Sequence, residues 1–160
     1  MIKNMFKVAL ILALVLPGTV QAADWKDLID GKDLSGWEQV NGTARYELEG
    51  DTIVGYTVMD SPNSFLATKK QYSDFILEYD MYVDPAMNSG VQIRSHQKGG
   101  DGIVSGPQVE VDPTHRRFTG GFYDEKRRRW IYPLSLNEKG RDAFENGKWN
   151  HFRVEAIGNS

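Results

Sequence analysis

The chain has 160 residues, 19 of them Lys or Arg against 22 Asp or Glu, for a net charge of −3, and it has no cysteine. That composition excludes disulfides and thiolate metal sites, and it argues against a general nucleic-acid binder, which needs a cationic surface for phosphates. Sixteen glycines and 18 aromatic residues (four Trp, seven Tyr, seven Phe) suit many short strands joined by tight turns.

The N-terminal segment reads as an export leader. Lys3 and Lys7 precede or open the apolar run of residues 8–16, Pro17 and Gly18 interrupt it, and Val20-Gln21-Ala22 supplies small residues for cleavage. The run is shorter than the roughly 20 residues that span a bilayer. Residues 1–22 are therefore expected to be a signal peptide cut after Ala22, leaving an exported, periplasmic or secreted protein with no membrane segment. Two of the 19 basic residues lie in that leader, so 17 face 22 acidic residues beyond it, a net charge of −5. Residues 23–160 are long enough for one domain with a core of its own.

Beyond the leader the pattern is β throughout. Weak strands are expected at residues 46–49, 52–56 and 64–68. Residues 75–83 alternate clearly, with Phe75, Leu77, Tyr79, Met81 and Val83 on one face and Glu78, Asp80 and Tyr82 on the other. Asp84-Pro85 ends that strand, and Asn88-Ser89-Gly90 reads as a turn. Residues 91–96 resume the alternation, with Val91 and Ile93 inward and Gln92, Arg94 and His96 outward. A Gly-rich loop is expected over residues 98–106. Residues 108–112 then place Gln108, Glu110 and Asp112 on a polar face, and residues 149–157 form a last strand. Only residues 135–146 have some helical character. Short strands with regular turn signals predict a sandwich or barrel.

If the three middle strands are neighbours, Glu78, Asp80, Gln92, Arg94, His96, Gln108, Glu110 and Asp112 line one surface, with Tyr82, Tyr123, Trp130 and Tyr132 on or beside it. Convergent polar groups next to aromatic walls are the expected form of a small-ligand site, here for a sugar. A solvated outer sheet face accounts for the same polar residues. Arg94 has a plain alternative as a cross-strand partner of Glu110 or Glu78, His96 as a solvated loop residue, and Asn88-Ser89-Gly90 as a tight turn. The run Lys126-Arg127-Arg128-Arg129 adjoins Asp124 and Glu125 in an acidic chain, which weighs against nucleic acid. Glu110, Asp112 and His96 are the candidate ligands for a divalent metal, although their spacing is not diagnostic. No other cofactor is implied.

Five segments together resemble a known family. Residues 27–37 read DLIDGKDLSGW, residues 88–94 NSGVQIR, residues 106–112 GPQVEVD, residues 120–123 GGFY and residues 148–150 KWN. In this order they are similar to the motifs of the 3-keto-disaccharide hydrolase family. The resemblance implies an all-β, concanavalin A-like jelly-roll sandwich and cleavage of glycosides already oxidised to a ketone at sugar C3. It also implies that family members continue past the turn at residues 158–160, so that the sandwich of this sequence is expected to be incomplete at its C-terminus.

A C3 ketone acidifies the C2 hydrogen, so a base can form an enolate and expel the C1 group, after which water adds. For that chemistry Arg94 suits, by its position, the cation facing the enolate oxygen, since a guanidinium stays charged and presents a fork of donors, Glu110 is the first choice of base, and Asp112 or His96 is the acid or metal ligand. Asn88, Gln92, Gln108, Tyr123 and Trp130 are the expected carbohydrate-binding residues. Two other functions compete. A retaining glucanase would need a second catalytic Glu where Pro113 and Thr114 stand, and a non-catalytic carbohydrate-binding module would need no Arg94–Glu110 pairing.

Overall fold

A computed structural model describes residues 5–14, 24–98 and 103–158. The strands in chain order are β1 (Met5–Leu14), β2 (Asp24–Asp27), β3 (Trp37–Val40), β4 (Arg45–Glu49), β5 (Thr52–Tyr56), β6 (Phe65–Thr68) and β7 (Phe75–Val83). They continue with β8 (Ser89–Gln92), β9 (His96–Lys98), β10 (Ile103–Val111), β11 (Phe122–Glu125), β12 (Arg129–Tyr132) and β13 (Asn150–Ala156). The stretch expected to have helical character holds two short 3-10 turns, Leu134–Leu136 and Gly140–Asp142. No helix among the described residues is long and apolar enough to cross a membrane.

All strand pairs are antiparallel. One sheet runs β13-β7-β1-β5-β4 with β2 beside β1, a second runs β12-β11-β10-β8 with β9 beside β10, and β3 pairs β6. The chain is an all-β sandwich, as its alternation predicts. Residues 8–14 of the apolar run expected to lead export lie, in the uncleaved chain, in β1, while the rest of that run lies outside the described residues: Phe6–Ala13 pairs with β7 and Met5–Val8 with β5.

The core follows from the period of two in β7. Phe75, Leu77, Tyr79, Met81 and Val83 are all buried, together with Val111, Val154 and Ala156. Val91 and Val109 of the second sheet, with Ile93 just past the end of β8, pack against that cluster. Tyr79 stacks on Phe152, its register partner in β13, with ring centroids 5.0 Å apart. The outward residues of β7 are therefore on the far side of the first sheet. Glu78 pairs with Arg153 at 2.5 Å, Asp80 with His151 at 3.0 Å, and Tyr82 lies against Trp149. They do not share a surface with Gln92 or Gln108, because β7 and β10 belong to different sheets.

The strand expected over residues 91–96 breaks after Gln92. Arg94 sits at φ +46°, a left-handed conformation that no extended strand can contain, and pairing resumes only at β9. The break turns the Arg94 side chain toward the chain end of β13. Its Nε and Nη2 donate to Ser73 O at 3.1 and 2.8 Å, Nη1 donates to Gly158 O at 2.7 Å, and Nη2 also meets Ala156 O and Asp74 Oδ1. One guanidinium thus staples β13, the approach to β7 and the β8–β9 break. The loop expected over residues 98–106 is also shorter than its glycines indicated, since Ile103 to Gly106 already belong to β10.

Two outcomes are expected from this packing. Arg94→Ala removes charge-assisted hydrogen bonds from at least three carbonyls and should cost about 2 kcal/mol in denaturant unfolding, while Arg94→Lys restores only part of it. The Tyr79 hydroxyl is buried with no hydrogen-bond partner among the described residues. Tyr79→Phe removes that burden and keeps the ring stack, so its stability should equal or exceed wild type by up to about 1 kcal/mol; a clear loss would show that the hydroxyl is bonded.

Candidate active site

The site is built on the polar face of β10. Alternation sends Val109 and Val111 into the core and Gln108 and Glu110 the other way, into a groove of about 1110 Å³. Register then decides the neighbours. Gln108 faces Gln92 on β8 and Tyr123 on β11, and Glu110 faces Gly90 on β8. Cross-strand partners share a face, so Gln92, Gln108 and Tyr123 stand side by side across three strands. Gly90 is required by close approach: a Cβ there would stand 2.6 Å from Gln108 Nε2.

A chain of hydrogen bonds fixes these groups. Ser95 Oγ donates to Gln92 Oε1 at 2.5 Å, Gln92 Nε2 to Gln108 Oε1 at 3.1 Å, and Gln108 Nε2 to Glu110 Oε2 at 2.9 Å. Asn88 Nδ2 donates to the other carboxylate oxygen, Glu110 Oε1, at 2.5 Å. Glu110 is only 4% exposed. Burial pushes its carboxyl above the ordinary carboxylate range, and the bonds from Asn88 and Gln108 bring it only part of the way back; Asp112 adds to the rise and Arg116 opposes it. The result is a carboxylate held in place, poorly solvated, and a stronger base than a free glutamate.

The segment after β10 folds back over the site. Glu110 N donates to Gly121 O and Gly120 N to Glu110 O, at 2.9 and 2.8 Å. Asp112 is fully buried; its N–H donates to Thr119 Oγ1 and its Oδ1 accepts from Thr114 N–H, an Asx turn around Pro113. Asp112 Oδ2 pairs with Arg116 Nη2 at 2.7 Å. Arg116 lines the groove beside Glu110, its side chain 46% exposed and lying over the Phe118 ring. Trp130 and Tyr123 form an aromatic wall, their rings edge to face at 5.1 Å, with Phe118 edge-on to Trp130 at 5.2 Å.

The structure thus gathers Asn88, Gln92, Gln108, Glu110, Tyr123 and Trp130, and puts Asp112 directly behind them. His96 is exposed on β9, opposite Ser105 and toward one end of the groove. Arg94 touches the groove, but its guanidinium is engaged by the carbonyls already described. Among the described residues no three His, Cys, Asp or Glu side chains are grouped so as to hold a metal ion. Glu110, Asp112 and His96 accordingly do not form a ligand set. The cation that does stand beside Glu110 is Arg116, which is not among the residues that the sequence pattern singles out. Its signal was the spacing to Asp112, four residues earlier across a Pro-containing turn.

The raised Glu110 carboxyl has a consequence for stability. A folded pKa above the unfolded value means that the folded chain holds the proton more tightly. The resulting stabilisation is complete below the ordinary carboxylate value and is lost as pH rises through the raised one. Glu110→Gln cannot titrate, so it should gain stability relative to wild type as pH rises from the ordinary carboxylate range, about pH 4, through the raised Glu110 value. Denaturant midpoints of both chains across that range check this, and parallel curves would contradict it.

Residues 24–160 match the family described as the 3-keto-alpha-glucoside-1,2-lyase-like domain. No curated protein matches the chain. The match covers nearly all of the sequence beyond the N-terminal segment and includes every strand that builds the groove. The chain therefore belongs to the 3-keto-alpha-glucoside-1,2-lyase-like family.

Proposed function

We propose that this domain cleaves 3-keto-glycosides by β-elimination, with Glu110 as the base and Arg116 as the cation facing the developing enolate. The observation that carries the reading is a carboxylate buried to 4% exposure, held by two amide donors and flanked by a guanidinium on the wall of an aromatic-lined groove. Family membership supports the substrate class. Glu110 takes the C2 proton, and the C–H electron pair moves toward the C3 carbonyl, whose oxygen becomes negative. A guanidinium stays charged at any working pH and offers a fork of donors to that oxygen. The enolate then collapses with formation of a C1=C2 double bond and loss of the C1 oxygen substituent, which takes up a proton. The proton just received by Glu110 is available for that oxygen or, through water, for its replacement. Adding water across C1=C2 gives the hydrolysed 3-keto sugar.

The other residues hold the substrate. Asn88, Gln92 and Gln108 bind hydroxyls, Tyr123 and Trp130 stack on the ring faces, and Asp112 positions Arg116. His96 at the groove end is a second proton donor within the proposal, and Arg94 supports the scaffold beneath the site. The N-terminal segment directs export, so that the domain works on sugars outside the cytoplasm after residues 1–22 are removed.

The full chain incubated with 3-keto-trehalose or a chromogenic 3-keto-glucoside should release the aglycone. Glu110→Gln should lower kcat by at least about 10²-fold, Arg116→Ala by about 10²-fold, and the wild-type rate should rise with pH through the raised Glu110 value. A parallel arm with EDTA reads metal dependence directly. Saturable sugar binding with no release would instead identify a carbohydrate-binding module.

A further inference from the structure

The hydrogen-bond chain that ends at Glu110 starts at Ser95, a residue that stands outside the proposed elimination. The chain has a single direction while Glu110 is a carboxylate. An ionised carboxylate only accepts, so Gln108 turns its amide nitrogen to Glu110 Oε2, at 2.9 Å, and its oxygen to Gln92. Gln92 in turn gives its nitrogen to Gln108 Oε1, at 3.1 Å, which leaves Gln92 Oε1 to accept from Ser95 Oγ at 2.5 Å. The orientation of the Gln92 amide is thus set by the charge on Glu110, which it does not touch.

Ser95 is the link that permits the opposite direction. A hydroxyl both donates and accepts, and Ser95 Oγ also lies 3.1 Å from Ile93 O and 3.4 Å from Pro107 O. With its proton turned to Ile93 O, Ser95 Oγ is free to accept from Gln92. Half-turns of both amides then point Gln92 Nε2 at Ser95, Gln108 Nε2 at Gln92, and a proton on Glu110 Oε2 at Gln108 Oε1. Each member of the chain keeps a partner in either direction, at the loss of one long contact from Gln108 Nε2 to Ser89 O, 3.4 Å. The backbone is shaped around this hydroxyl. A regular strand would send residue 95 to the side of Val91 and Ile93, but left-handed Arg94, clamped by the carbonyls of Ser73 and Gly158, returns it to Gln92. Gly106, at φ +143°, leaves the space, since a Cβ there would stand 2.5 Å from Ser95 Oγ.

From this geometry we propose that Ser95 is a positioning residue for Glu110, and that Ser95, Gln92 and Gln108 form a relay whose direction reverses when Glu110 takes up a proton. No N–H bond breaks: two amides and one hydroxyl rotate, and the only proton transferred is the one Glu110 accepts. In the reversed state Gln108 Oε1 engages that proton, so it does not face the enolate while the C1 substituent leaves. That last consequence rests on the proposed elimination; the relay itself does not. The other charged or titratable groups around Glu110 and its relay are Asp112 on the same strand, Arg116 on the following loop, Tyr123 and Glu125 on β11, and His96 beside Ser95. Strand β8 brings none.

The test is carbon and nitrogen NMR of side chains in the full chain as pH is varied, following the Glu110 carboxyl and the Gln92 and Gln108 amides. A fixed network leaves the Gln92 amide nearly flat, whereas the relay makes it titrate with the same midpoint as the Glu110 carboxyl. Ser95→Ala removes the acceptor that Gln92 Nε2 needs after its half-turn, so the Gln92 response should be lost while Glu110 still titrates. Asn88→Ala cuts the bond to the other carboxylate oxygen and leaves the chain whole, so the response should persist, moved to higher pH. Glu110→Gln should abolish it. A wild-type Gln92 amide that ignores pH through the Glu110 midpoint overturns the proposal, as does a response unchanged in Ser95→Ala. A response that survives in Glu110→Gln belongs to another group, His96 foremost, and overturns it as well. None of these readouts needs turnover, so failure to cleave 3-keto-glycosides would count against the elimination chemistry and not against the relay.

Discussion

The site depends on the two-faced backbone of β10. One strand supplies Val109 and Val111 to the core and Gln108 and Glu110 to the groove, because successive side chains leave opposite sides of a pleated strand. A slip of one residue in its pairing would exchange these sets, placing a carboxylate in the core and valines in the groove. Burial of the valine face against β7 and β13 therefore holds the chemistry in register as firmly as any contact inside the groove. The glycines opposite and beside Glu110 belong to the same constraint, since Gln108 can lie across β8 only where Gly90 has no side chain.

Within that frame the Glu110 carboxylate is set by opposing effects. Removal from water disfavours its charge, while the amides of Asn88 and Gln108 and the nearby guanidinium of Arg116 favour it. The balance stays on the side of a raised proton affinity. The amides cannot act as acids at ordinary pH, so they hold the carboxylate in position without competing for the proton it would carry. Asp112 has a different part. Enclosed completely and paired with Arg116, it anchors a cation whose side chain is nearly half exposed, and so converts a loop arginine into a fixed wall of the groove.

Arg94 and Arg116 show how one residue type serves two ends. Arg94 closes the motif-like NSGVQIR segment, yet its left-handed backbone turns the guanidinium onto the carbonyls of Ser73, Ala156 and Gly158. Arg116 belongs to no recognisable motif and reaches the groove because Asp112, Pro113 and Thr114 fold the chain back over Glu110. The third arginine-rich feature, the β11–β12 turn, uses a single buried aspartate to hold two guanidiniums in place while the flanking cations face outward.

Periodicity alone determined the all-β class, the buried face of β7, the inward Val91 and Ile93, and the polar set Gln92, Gln108 and Glu110, because face alternation is a property of an isolated strand. The bounds of β5 and β7 are also legible for that reason. Motif order determined the family. Which strands are neighbours is a different matter, and it moved Glu78, Asp80 and Tyr82 to the far side of the molecule. Strands β11 and β12 escaped notice because their residues, FYDE and RWIY, alternate too briefly to register. The break at Arg94, the engagement of its guanidinium and the arrival of Arg116 beside Glu110 were decided only by tertiary structure. Each depends on partners far along the chain (Gly158 is 64 residues from Arg94), and no local pattern encodes the hydrogen bonds that such a distant carbonyl will accept.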